Sequence, residues 1–178
     1  MNKICRSILK YMKIYFEKAD PVLNSTQLHD AAYALLLRAL RTDWGLHDIR
    51  IEKTPTGKPY IADEPVHISI SHTKGFVCCA VSEKPCGIDC EYRRTVSDST
   101  MRRECTEPEL LDIRAADDLC ARFMVYWTLK ESISKKRGVG LKESFKQYEI
   151  TFRDGLPVCE GHTLYTEKID GFFLAAAE

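Results

Sequence analysis

Apolar positions along the chain follow two periodicities, one of strands and one of helices. The run Met12-Lys13-Ile14-Tyr15-Phe16-Glu17-Lys18 reads as a first strand, centred on Lys13 to Phe16, with the residues before it as an upstream extension. Leu28, Ala32, Leu35, Leu36, Ala39 and Leu40 recur at helical spacing and predict a helix from about Ser25 to Thr42, capped by Asn24 or Ser25. Ile49 to Lys53 alternates like a half-buried strand, and Thr54-Pro55-Thr56-Gly57-Lys58-Pro59 is turn chemistry. Three β-rich runs follow: Val66 to Ser71, Phe76 to Ser82 and Gly87 to Glu91.

The pattern changes after Glu91. Arg93 to Cys105 is polar and reads as loop or weak helix, and Thr106-Glu107-Pro108-Glu109 is a capping box with proline in the first turn. A longer helix runs from about Leu119 to Arg137 and stops at Gly138 and Gly140; Lys146 to Phe152 and Gly171 to Ala177 read as late strands. Strands and helices occur in both halves, which predicts an α+β chain of two subdomains, 1–87 and 88–178, forming one compact unit.

Composition narrows the functions open to such a chain. At 178 residues, roughly 70% of the unfolded surface can be buried without disulfides or metal. Lys plus Arg and Asp plus Glu balance at 26 each, against the clustered basic surface of a general nucleic-acid binder. A local basic pocket for a phosphorylated small molecule remains open. No apolar run approaches the length of a membrane helix, and the start, with Lys3, Arg6, Lys10 and Lys13, lacks the core of a signal peptide. Eight cysteines without a C-x-x-C pair read as reduced thiols in a cytoplasmic protein, with adjacent Cys78 and Cys79 on opposite faces of one strand.

Four short segments carry candidate chemistry. In Gly87-Ile88-Asp89-Cys90-Glu91, strand alternation sends Asp89 and Glu91 to one face, where two hard carboxylates suit Mg²⁺; the same pattern also serves as an ordinary solvated face. In the helix ending at Arg137, Trp127, Glu131 and Lys135 share a face at i, i+4, i+8, either as a Glu–Lys surface pair or as a metal ligand or base beside a phosphate-neutralising lysine. Lys136 and Arg137 complement the helix C-terminal dipole. Ile68-Ser69-Ile70-Ser71-His72 delivers a hydroxyl and an imidazole at a strand end, and Gly57-Lys58-Pro59 is a turn with a lysine. His29, His47, His67 and His162 show no ligand spacing.

Taken in order, G-K-P, S-H, G-I-D-x-E and W-x-x-K-E-S-x-x-K followed by G-x-G-L resemble the 4′-phosphopantetheinyl transferases, specifically the monomeric Sfp-type enzymes, over roughly Ala31 to Leu141. The resemblance implies two similar α/β halves related by a pseudo-twofold axis and a monomer; the charge balance and hydropathy above predict no nucleic-acid or membrane partner. It implies transfer of the phosphopantetheine arm of coenzyme A to a serine of an apo acyl or peptidyl carrier protein, releasing adenosine 3′,5′-bisphosphate. A catalytically inactive coenzyme A-binding module and a metal-dependent diphosphate hydrolase are the alternatives. Carried over by position, Asp89, Glu91 and Glu131 would hold Mg²⁺ as cofactor, with Asp89, Glu131 and Lys135 as the catalytic set. Thr56, Gly57 and Lys58 would line the adenosine side of coenzyme A, Ser71 and His72 would contact its phosphates, and Lys130 and Lys135 would complete its site. Glu131 would take the serine proton directly or through a metal-bound water. The segment before the first helix is short for the Sfp type, so the grip on the 3′-phosphate would be thinner or come from Arg38 or Arg41. Arg93, Arg94, Arg102 and Arg103 would offer a basic face to an acidic carrier helix, or belong to a solvated loop.

Overall fold

The computed structural model describes residues 11–139 and 144–178, and the backbone of 4–7. A first antiparallel sheet is built from β1 (Ile4–Ser7), β2 (Met12–Lys18), β5 (His67–Thr73) and β6 (Phe76–Ser82), in the order β1-β2-β6-β5. The stretch before Met12 is therefore no mere extension, since Ile4–Ser7 adds an edge strand in register with Lys13–Phe16. Helix α1 (Ser25–Trp44) lies on one face of this sheet. Its buried residues are Leu28, Ala32, Leu35, Leu36, Ala39 and Leu40, and Asn24 closes a capping box with Gln27. Between α1 and β5, the hairpin of β3 (Ile51–Lys53) and β4 (Pro59–Ile61) carries the 54–58 turn.

The second sheet, ordered β10-β11-β7, comprises β7 (Gly87–Tyr92), β10 (Leu164–Ile169) and β11 (Phe172–Ala177), all antiparallel. Helices α2 (Asp98–Glu104), α3 (Glu107–Ala115) and α4 (Leu119–Arg137) precede a small hairpin of β8 (Thr151–Arg153) and β9 (Leu156–Val158). Strand alternation sorts the apolar residues into three cores. Met12, Ile14, Phe16, Phe76, Cys78, Ala80, Ile88, Cys90, Leu174 and Ala176 form one core joining the sheets. Tyr15, Val77, Cys79 and Val81 face α1. Phe173, Ala175 and Ala177 meet Phe123, Leu129 and Ile133 in the core that includes α4. The layers thus run α1, first sheet, second sheet, α4. Cys78 and Cys79 sit in different cores, and all seven cysteines from Cys78 to Cys159 are free thiols. No helix among the described residues is long and apolar enough to cross a membrane.

In one stretch the structure decides between the two readings the sequence leaves open, and in another it departs from the reading. Arg93 to Cys105 contains a real helix, because Ser97 accepts Thr100 N–H as a cap and Asp98 pairs with Arg102 one turn on. The strand expected over Lys146 to Phe152 is instead a 3₁₀ turn at Phe145–Gln147 followed by the short β8. There, side chains replace a strand neighbour: Lys130 donates to Phe145 O, and Glu109 accepts Ile150 N–H. Gly140 and Leu141 of the motif lie outside the described residues.

Candidate active site

Gly87 sets the approach of α4 to β7. A Cβ at this position would lie 1.9 Å from Ser132 O and 2.4 Å from Lys136 N, so only glycine lets the helix backbone rest on the strand. Two and four residues further on, the same strand face carries Asp89 and Glu91. Across from them α4 supplies Glu131 and Lys135, one turn apart. All four side chains line one cleft of about 490 Å³, a volume typical of small-molecule sites.

Asp89 is 5% exposed. Its Oδ1 accepts Lys135 Nζ at 2.7 Å and Ser71 Oγ at 2.8 Å, whereas Oδ2 is buried without a partner among the described residues. Burial, helped by the Asp89 charge, raises the pKa of Glu91. Burial also raises Glu131 to about 7, with Asp89 and Glu91 pushing the same way and Lys135 opposing. For Lys135, burial works downward, but the Asp89 charge and hydrogen bond prevail and its pKa is raised. The wall thus holds three carboxylates against one close lysine.

Chain segments distant in sequence close the other sides. Thr56, Gly57 and Lys58 reach the cleft from the β3–β4 turn, where Gly57 N–H donates to Thr54 O and Gly57 has φ +87°. β5 brings Ser71 and His72, and α1 adds His29 and Tyr33. The two histidine rings meet edge to face at 6.2 Å, and His29 lies 4.7 Å from Tyr33. Burial, with His29 and Lys135 nearby, lowers the His72 pKa and favours its neutral form at pH 7. His29, which shows no ligand spacing in the sequence, and Tyr33, which the sequence does not single out, thus join the cleft; their i, i+4 spacing in α1 is the available signal.

Several assignments change. Lys130 does not belong to the cleft. It is 1% exposed, and its ammonium donates to Glu109 at 2.5 Å, Glu104 O at 3.0 Å and Phe145 O at 3.1 Å. One residue before Glu131 on a helix, it necessarily faces another side. Lys58 lines the cleft with its stem, but its ammonium donates to Lys136 O at 2.6 Å and Cys86 O at 3.2 Å, satisfying a carbonyl at the end of α4. Gly138, at φ +70°, leaves room for that stem, since a Cβ there would sit 3.0 Å from Lys58 Cδ. Ser71 is engaged with Asp89, Lys135 and Cys90 N–H. Arg38 pairs with Glu17 at 2.6 Å, and neither it nor Arg41 lines the cleft. Arg93, Arg102 and Arg103 pair with Asp118, Asp98 and Glu104, and Arg94 lies 6.0 Å over Trp127.

Among the described residues, no three His, Cys, Asp or Glu side chains are drawn into a ready-made metal cluster. The donors still fit a hard divalent cation: an all-oxygen set, an orphaned buried carboxylate oxygen and an excess of negative charge. A cation that keeps waters and substrate oxygens in its shell needs no complete protein cage.

Residues 85–170 match the family model described as 4'-phosphopantetheinyl transferase superfamily. The 4'-phosphopantetheinyl transferase Sfp of Bacillus subtilis (strain 168) is 34% identical over 106 residues, covering 58% of this chain and 47% of that protein. The 4'-phosphopantetheinyl transferase gsp of Aneurinibacillus migulanus is 28% identical over 151 residues, covering 79% and 63%. The crystal structure of Thermotoga maritima holo-acyl-carrier-protein synthase (AcpS) aligns with 52% of this chain at 22% identity and a TM-score of 0.47, covering 61% of that chain. The chain spans about half the length of the Sfp relatives it matches. The G-I-D-x-E strand and the K-E-S-x-x-K helix both lie inside the region that is similar to the 4′-phosphopantetheinyl transferase superfamily, and both stand on the cleft wall.

Proposed function

We propose that this protein is a Mg²⁺-dependent transferase that moves the 4′-phosphopantetheine arm of coenzyme A onto a serine of an acyl or peptidyl carrier protein and releases adenosine 3′,5′-bisphosphate. One observation carries the reading: Asp89, Glu91, Glu131 and Lys135 converge on one wall of a cleft whose other sides bring the Thr56–Lys58 turn and His72. Phosphoryl transfer asks chiefly for positioning and for charge stabilisation, and this wall supplies both kinds of group.

Asp89, Glu91 and Glu131 would hold the Mg²⁺, which when bound offsets charge on the diphosphate of coenzyme A. Lys135 adds a fixed positive charge beside Asp89. Thr56, Gly57 and the Lys58 stem form the adenosine side, and His72 meets the phosphates. The carrier serine oxygen attacks the phosphorus bearing the pantetheine arm. The bond from that phosphorus to the bridging oxygen breaks, and adenosine 3′,5′-bisphosphate departs with that oxygen. The serine proton passes to Glu131, directly or through one water.

The test is incubation with apo carrier proteins, coenzyme A and Mg²⁺, read by intact mass. Gain of one phosphopantetheine arm, lost on adding chelator, is the expected result. Coenzyme A binding without mass gain across carriers of fatty acid, polyketide and nonribosomal peptide type would leave a binding module. Phosphopantetheine release without any carrier would make the protein a diphosphate hydrolase.

A further inference from the structure

β5 and β7 belong to different sheets, yet they meet along a seam that serine hydroxyls stitch together. Ser69 Oγ accepts Ile88 N–H at 3.1 Å, and Ser71 Oγ accepts Cys90 N–H at 3.3 Å. The two-residue spacing on each strand makes the match: alternate side chains of β5 share a face, and alternate N–H groups of β7 share an edge. Ser71 has a second task. Its hydroxyl donates to Asp89 Oδ1 at 2.8 Å and accepts Lys135 Nζ at 2.9 Å. A hydroxyl has one proton and two acceptor sites, so these bonds exhaust it. Asp89 Oδ1 is likewise occupied, by Ser71 and by Lys135 at 2.7 Å, while Oδ2 is buried without a partner among the described residues. An ionised oxygen buried in that way is costly, and a cation is the partner that removes the cost.

We propose that Ser71 is a positioning residue that, with Lys135, pins Oδ1 of Asp89 so that Oδ2 is held ready for the divalent cation. Ser71 does not itself contact the coenzyme A phosphates. This rests on the proposed function and departs from the phosphate contact that the family resemblance implies for Ser71.

The experiment titrates Mn²⁺ alone, by electron paramagnetic resonance, into wild type, Ser71→Ala, Ser71→Thr and Ser69→Ala, and measures KM for coenzyme A in the transfer assay. Ser71→Ala should weaken Mn²⁺ binding about tenfold or more, the scale of one charged hydrogen bond, and change KM for coenzyme A less than about twofold. Ser71→Thr, which keeps the hydroxyl, should restore Mn²⁺ affinity. Ser69→Ala removes only the Ile88 strut; it should lower Tm while shifting Mn²⁺ affinity less than about twofold. If Ser71→Ala fails to fold, Ser71→Cys, with a weak thiol donor, is read in the same way. Wild-type Mn²⁺ affinity in Ser71→Ala, or in Ser71→Cys where it stands in, would overturn the proposal. So would a rise in KM for coenzyme A with metal affinity intact, or an equal loss in Ser69→Ala. Failure of the wild type to transfer the arm to any carrier would instead overturn the parent reading.

Discussion

Replacing Glu131 with glutamine tests the electrostatics of the cleft wall without touching its packing. Burial, Asp89 and Glu91 raise the Glu131 pKa from an ordinary 4.5 to about 7. Below pH 4.5 both folded and unfolded chains hold the proton, and the group contributes nothing to the pH dependence. Between 4.5 and about 7 the folded chain keeps a proton that the unfolded chain has released, so stability falls as pH rises. Above pH 7 the whole penalty is in place. A displacement of roughly 2.5 pH units, at about 1.4 kcal/mol each, makes it about 3.5 kcal/mol. Glutamine keeps the shape and cannot ionise. Urea unfolding followed by circular dichroism in chelator should therefore find the two proteins alike near pH 4.5. At about pH 8.5 Glu131→Gln should be more stable by about 3.5 kcal/mol. Mg²⁺ should narrow that gap by stabilising the wild type. A difference that does not vary with pH, or a glutamine variant that is the less stable at about pH 8.5, would refute the reasoning.

Gly87→Ala drives a Cβ into Ser132 O and Lys136 N, and should lower stability by about 3 kcal/mol or more and abolish transfer, as thermal melts and the mass assay would record. Lys130→Met leaves the Glu109 carboxylate buried without its cation and should cost about 3–5 kcal/mol in urea unfolding. The double variant with Glu109→Gln should recover part of that loss, and turnover per folded molecule should persist. The sequence alone suggests that Asp89→Ala leaves the fold untouched. With Asp89 buried and paired, the variant should instead lose about 1–3 kcal/mol along with transfer, while Asp89→Asn loses transfer at smaller cost in a melt.

Local patterns in the chain determined a good deal of this protein. Helical spacing of Leu28 to Leu40 marked the buried stripe of α1, because a helix on a sheet can hide only one face. Alternation in Gly87–Tyr92 placed Asp89 and Glu91 together, since side-chain direction on a strand is a local property. One helix turn did the same for Glu131 and Lys135. What local rules do not reach is which polar group finds which partner across the fold. Lys130 and Lys135 are both lysines of one motif, yet one is sealed against Glu109 and the other lies beside Asp89, because five residues carry a side chain about 140° around the helix axis to another face. Lys58 caps a helix 78 residues away, and Ser71 holds a carboxylate from a different sheet. His29 and Tyr33 enter the cleft only because α1 packs beside β5. Hydrogen bonds and desolvation depend on three-dimensional neighbours, so the acidic wall of the cleft was legible in the chain, while the remaining lining and the task of each polar group were decided by tertiary packing.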